Sequence, residues 1–308
     1  MSDWQPSAAI EALKARQQLN QSIRRFFAER EVMEVETPVL SQAAVMDPNI
    51  EPMCTVDGRY LQTSPEYPMK RLLCAGSGDI YQIARVFRRG EAGHKHNPEF
   101  SMLEWYRLNW DHQQLMREVA ELAQRLLSGV YGDLPVVYLT YQQAMQQYAG
   151  IDGLTASMAV IQQKGVELAG HDLQLTRDGW LDIIMSHAVE PNLPAHTLVF
   201  IEDFPASQAA LARVIDNGQE PAVARRFELY FNGTELANGY HELTDAKEQR
   251  HRFEQEAGGR PMDENLLAAL QAGMPDCAGV AMGLDRILML QLEVEHIADV
   301  LAFAWPQA

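Results

Sequence analysis

Apolar residues recur at helical spacing between Ile10 and Arg30, where Leu13, Leu19, Ile23, Phe26 and Phe27 form one stripe and predict a helix. The stripe stops in "EREVMEVETPVL", whose β-branched residues and Pro38 predict an extended segment leaving that helix. Strand-like runs follow at Tyr60–Thr63, at Ile80–Arg88 and in "HNPEFSMLEWYR", His96 to Arg107. Leu115, Val119, Leu122 and Leu126 return to helical spacing and predict a helix over His112–Leu127. Residues 150–225, including "EPNLPAH", keep no clean period and are expected to be an insertion of short helices and loops. Strands resume in "RRFELYFNGTELANGYHEL", a polar helix follows in "TDAKEQRHRFEQEAG", and "GVAMGLDRILMLQL" reads as a strand or turn leading into a helix. Hairpin strands with helices outside them predict an α+β fold with an antiparallel β-sheet flanked by helices.

Inside the third strand the pattern is interrupted by charge. Strand side chains alternate, so Leu103 and Trp105 share one face while Phe100, Met102, Glu104 and Tyr106 share the other. A carboxylate in such a row is costly to bury alone. Its partner is either elsewhere in the chain or a ligand. A second acidic feature surrounds Asn232-Gly233, a sequence that favours a two-residue type I′ turn. That turn pairs Phe231 with Thr234, Tyr230 with Glu235 and Glu228 with Ala237. Glu228 and Glu235 become diagonal neighbours, roughly 7–8 Å apart at Cα and within reach of one bridging cation. A solvated polar face accounts for the same pattern equally well. The guanidinium forks of Arg88 and Arg286 suit phosphate, although each alone reads as readily as a surface residue. His94, His96 and His241 match no common metal spacing and are read as polar loop residues.

Composition narrows the classes. The 308 residues carry a formal charge of −17 and no lysine- or arginine-rich tract, which argues against a dedicated nucleic-acid binder. No apolar run approaches the ~18 residues of a membrane span, and the N-terminus has no basic start followed by an apolar segment. Cys54, Cys74 and Cys277 form no CxxC pair, which argues against a zinc site or a disulfide framework. A reducing cytoplasm is the expected location.

Taken in order, "VETPVL", "FRRGE…HNPEFSMLEWY", "ELANGYHEL" and "GVAMGLDRILML" resemble the catalytic core of the class II aminoacyl-tRNA synthetases, most closely the lysine branch. The resemblance runs from about Gln17 to the end. It implies one catalytic domain over residues 1–308, with the insertion at about 150–225 and no N-terminal anticodon-binding OB domain. That truncation is similar to the protein-modifying branch of the family, which joins (R)-β-lysine to a lysine side chain of elongation factor P.

The resemblance also implies roles for particular residues. Arg88 and Arg286 would be catalytic, steadying phosphates of ATP. Arg89, Gly90, Glu91, Asn97, Glu235, Leu236 and Gly283 would line the nucleotide site with them. Ser64, Pro65, Glu66, Glu104, Tyr106, Asn238, Tyr240, Glu242 and Ala281 would bind a lysine-type substrate, whose two ammonium groups answer the buried carboxylate. Glu228 and Glu235 would hold Mg²⁺. Two departures stand out. The second motif commonly reads Arg-X-Glu, whereas here Gly90 displaces the acid to Glu91, a role that Gly90's backbone freedom would let it keep. Ala281 stands where glycine is usual, which favours a changed substrate such as β-lysine over lysine. The expected protein is an ATP-dependent ligase forming an aminoacyl-adenylate and working as a homodimer. A free-standing enzyme that charges tRNA and a catalytically silent ligand-binding paralogue are the alternatives. The acidic balance counts against the first and the retained Arg88, Glu228, Glu235 and Arg286 against the second.

Overall fold

A computed structural model describes residues 4–47, 50–216, 218, 221–256, 258–305 and 307–308. Its strands in chain order are β1 (Met33–Glu34), β2 (Leu40–Ser41), β3 (Tyr60–Leu61), β4 (Ile80–Phe87), β5 (Glu99–Leu108), β6 (Val136–Thr140), β7 (Leu198–Pro205), β8 (Val214–Ile215), β9 (Val223–Phe231), β10 (Thr234–His241) and β11 (Cys277–Gly283). Its α-helices are α1 (Ile10–Ala28), α2 (Glu66–Cys74), α3 (His112–Tyr131), α4 (Tyr141–Ala144), α5 (Met158–Ala169), α6 (Arg177–Ile184), α7 (Ala246–Glu256), α8 (Glu264–Gly273) and α9 (Leu284–Leu292). The chain divides into two compact units. One comprises residues 1–110, 121–132 and 244–308, the other residues 111–120 and 133–243.

In the first unit β1, β4, β5 and β11 lie side by side, β1 parallel to β4 and the rest antiparallel, with β2 and β3 as a separate pair. The α1 stripe packs on one face, where the Phe27 ring stacks on Tyr81 at 4.3 Å and meets Trp105 edge-on at 5.5 Å. These contacts explain why Leu103 and Trp105 point one way. The opposite face carries Gln82, Ala84, Val86, Phe100, Met102, Glu104, Tyr106 and Ala281, as cross-strand register requires. With a strand on each side and side chains above and below, residues 101–107 are all buried.

The second unit orders its strands β10-β9-β7-β6, with β8 paired to β9. Only β6 and β7 run parallel among these pairs. The aperiodic insertion contains α5, α6 and β7, together with one turn of π-helix at Met185–Val189. It builds a core of its own, in which Tyr141, Ile161, Trp180, Leu181 and Ile184 pack with Val199, Ile201 and Tyr230 of the sheet. Antiparallel pairing therefore holds for the inner strands of both units, and helices cover them as expected.

Candidate active site

On the polar face of the first unit, both oxygens of Glu104 are engaged by hydroxyls. Ser64 Oγ donates to Oε2 at 2.6 Å and Tyr106 OH to Oε1 at 2.7 Å, with the residue 2% exposed. Both hydroxyls donate, and donors of this kind stabilise the ionised form of a carboxylate. Ser64 Oγ also accepts from the backbone N–H of Glu66 at 3.0 Å, which ties the start of α2, capped by Pro65, to the same acid. Glu66 is buried and its Oε1 accepts from the buried Lys70 Nζ at 2.6 Å. Ala281 stands directly across from Glu104 in the β5–β11 register, so its methyl adjoins the carboxylate.

Beyond β4, Arg88 lies over the Phe100 ring at 5.1 Å, donates through Nε to Thr63 O at 3.4 Å and pairs with Glu91 at 3.7 Å. Gly90 between them has φ +79°, a conformation that side chains rarely adopt, and it brings Glu91 back to Arg88. Arg89 instead forms an exposed pair with Glu51 at 2.9 Å. Asn97 is fixed on both sides, donating to Glu99 O at 2.6 Å and accepting from Trp305 N at 3.0 Å. Gly283 ends β11 and precedes α9, whose third residue is Arg286.

His96, read from sequence as a loop residue, meets Arg286 Nη2 through Nε2 at 2.8 Å. A guanidinium can only donate, so Nε2 accepts and the imidazole is neutral. Burial and then the charge of Arg286 lower its pKa, and the charges of Glu91 and Arg88 also act on the ring. Arg286 is thus held at a residue of the segment that joins Arg88 to β5. Asp285 anchors this end of α9 by accepting from Arg16 and from Ser101 N, the latter at 2.7 Å. Neither contact was legible in sequence, because the partners lie far apart along the chain.

The second unit corrects the hairpin register. Asn232 and Gly233 have φ +48° and +66°, as a type I′ turn requires, and Phe231–Thr234 and Tyr230–Glu235 pair as expected. A β-bulge then intervenes at Leu236, and Glu228 faces Asn238 rather than Ala237. One extra residue moves every later side chain of β10 to the other face. Asn238 and Tyr240, opposite Glu228 and Arg226, therefore join the face of Glu228, Tyr230 and Glu235. Glu242, two residues on, is 1% exposed. Asn238 Oδ1 is a buried acceptor with no hydrogen-bond donor. Glu228 is held by Arg226 at Oε1 and by the Tyr230 hydroxyl at Oε2.

Glu228 and Glu235 supply the hard oxygen donors a divalent cation needs, and Glu235 sits across from Tyr230, diagonal to Glu228. A different group, His112, Glu202 and Asp203, also has its ligating atoms within 4.8 Å of one another. Its acids are already satisfied: His112 and Gln113 contact Glu202 at 3.0 and 3.1 Å, and Arg225 donates to Asp203 at 2.7 Å. That group is a hydrogen-bonded cluster tying His112 of α3 to Glu202 of β7. No disulfide joins Cys54, Cys74 or Cys277.

A largely antiparallel sheet with Arg88 just beyond one strand, Arg286 in the glycine-led helix after another, and buried acids matches a class II synthetase-type catalytic core. The family described as tRNA synthetases class II (D, K and N) matches residues 2–307, and the chain belongs to it. Over 327 residues it is 45% identical to the elongation factor P–(R)-β-lysine ligase of Pectobacterium atrosepticum, covering 100% of this chain and 99% of that protein. The ligases of the same name from Proteus mirabilis and Salmonella dublin are 47% and 46% identical over 323 and 325 residues, each covered to 98%. No helix among the described residues is long and apolar enough to cross a membrane.

Proposed function

We propose that the protein is an ATP-dependent ligase that activates (R)-β-lysine, or lysine, as its adenylate and transfers it to a lysine ε-amine of elongation factor P. The observation that carries this reading is the contact of Arg286 with the His96 imidazole, on a unit whose sheet also buries the hydroxyl-bound Glu104. Relatives of that printed activity, matched over nearly their whole length, support it.

The roles follow from charge. The substrate carboxylate attacks the α-phosphorus of ATP and pyrophosphate leaves. Arg88 steadies the α-phosphate and Arg286 the γ-phosphate as negative charge grows on them. Glu104, oriented by Ser64 and Tyr106, and Glu242 with Asn238 and Tyr240 are the recognition groups for ammonium. The orphaned Asn238 Oδ1 accepts from an N–H of the substrate. Glu228 and Glu235 would hold Mg²⁺, which supplies charge neutralisation on phosphate oxygens. In the transfer step the incoming lysine must be neutral, against an ordinary pKa of about 10.4. Exposed Met33, Val39 and Leu40, in and beside the "VETPVL" segment, support a homodimer. Sedimentation as a monomer at micromolar concentration would refute that part.

Amino-acid-dependent pyrophosphate exchange tests activation. Exchange with β-lysine is expected in the wild type and is lost in Glu242→Ala, while far-ultraviolet circular dichroism stays native. No exchange with any amino acid would leave only a ligand-binding protein. Incubating the charged enzyme with labelled amino acid then follows the acceptor: label on elongation factor P is expected, and label on tRNA alone would replace this function with tRNA charging.

A further inference from the structure

We propose that Arg226 is an internal counter-ion that occupies Glu228 and opposes binding of a divalent cation there until a polyphosphate arrives. This rests on the reading of Glu228 and Glu235 as the cation's ligands.

Both oxygens of Glu228 already have partners, Arg226 at one and the Tyr230 hydroxyl at the other. Arg226 is itself anchored. Its Nη1 donates to Gln208 O at 3.0 Å, and its guanidinium lies 4.6 Å from the centre of the Phe204 ring. Only 19% of the Arg226 side chain and 10% of the Glu228 side chain are exposed. Glu228, Tyr240 and Glu235 all favour its charged form against burial, and Asp182 also feels its charge. The guanidinium is therefore fixed, charged and poorly hydrated.

A cation such as Mg²⁺ needs oxygens at about 2.0–2.1 Å in near-octahedral geometry. Reaching Glu228 places it beside a guanidinium that packing cannot move far, a like-charge contact that little water screens. A triphosphate changes the balance, because it brings several negative charges and further oxygens for the ion, and offers the guanidinium another anion. Cation and nucleotide then load together, and the cation alone binds weakly. If Arg226 only stapled the fold, metal affinity would not respond to its charge.

Mn²⁺ binding to the full chain, read by loss of the free-ion paramagnetic resonance signal, tests this directly. Without nucleotide, Arg226→Gln should bind Mn²⁺ at least tenfold more tightly than wild type, and the gap should narrow with ATP present. Equal or weaker Mn²⁺ affinity in a folded Arg226→Gln protein would overturn the proposal. Should that variant not fold, Arg226→Lys carries the test: it keeps a charge but loses the fork, so severalfold tighter binding is expected, and affinity equal to or below wild type overturns the idea. Adding Glu228→Gln to Arg226→Gln should abolish the gain. If the double variant binds as tightly as the single one, the ion does not use Glu228, and it is the ligand assignment that fails.

Discussion

At the scale of single residues, the buried acid in β5 is the group to which the proposed function gives substrate recognition. Glu104 takes one hydroxyl on each oxygen, and Ala281 faces it across the β5–β11 pair. If Glu104 binds the substrate as proposed, a methyl group directly across the strand pair would occupy space near it. One methyl in a pocket is worth about 1–3 kcal/mol of discrimination. Ala281→Gly should therefore raise the use of α-lysine relative to β-lysine by about tenfold, measured as the ratio of kcat/KM in pyrophosphate exchange. An unchanged ratio would remove Ala281 from the pocket wall. At this scale the sequence singled out Glu104, Arg88 and Arg286 by residue type and motif position. It did not reveal Lys70 on Glu66, His96 on Arg286 or Arg226 on Glu228, although two of these partners are only two or four residues away. A short separation permits contact without requiring it, and the surrounding packing decides.

At the scale of elements, backbone geometry and close packing govern. Gly165 lies within α5, where replacement by alanine ordinarily stabilises a helix by about 1 kcal/mol. Here an added Cβ would come within 2.2 Å of the Trp180 ring, which is fully buried. Overpacking of this kind costs about 1–3 kcal/mol or more, so the sign reverses. Gly165→Ala should lower Tm, by roughly 2–4 °C per kcal/mol in a protein of this size, and a higher Tm would mean the Trp180 ring has room to move. A second element-level effect depends on pH. Burial pushes the Glu202 carboxyl up, but hydrogen bonds from His112 and Gln113 more than offset it and leave its pKa below the ordinary range. A carboxylate depressed in the folded state stabilises the fold above its unfolded pKa, near 4.3, and that contribution fades as pH falls through the folded value. His112→Ala should therefore start acid unfolding at a higher pH than wild type, followed by circular dichroism between pH 3 and 7. The aperiodic stretch 150–225 was opaque in sequence for a related reason. Its helices bury residues against one another as well as against the sheet, so no single apolar stripe dominates.

At the scale of the whole molecule, the formal charge of −17 is the property with the widest reach. Like charges on a compact chain repel, and salt screens exposed pairs over about 10 Å at 0.1 M. Raising sodium chloride from low to moderate concentration should raise Tm by a few degrees, and a falling Tm would show that surface ion pairs such as Arg24–Glu34 outweigh the net repulsion. Arg85, Arg89 and Arg250 each pair with a nearby carboxylate, at Glu99, Glu51 and Glu264.

Taken alone, the sequence determined where the first helix, the strands β4, β5, β9 and β10 and the helix after β5 fall, that Asn232-Gly233 makes a tight turn, and which acids and arginines interrupt apolar runs; it did not locate β6 or β7. Those are local properties, set by side-chain alternation, helical spacing and backbone preferences within a few residues. Only the tertiary structure decided that a bulge at Leu236 brings Asn238 and Tyr240 to the face of Glu228, and which cation or hydroxyl each buried acid keeps. Register and ion pairing are chosen by the burial of many side chains at once, and that competition is settled only when the chain has folded.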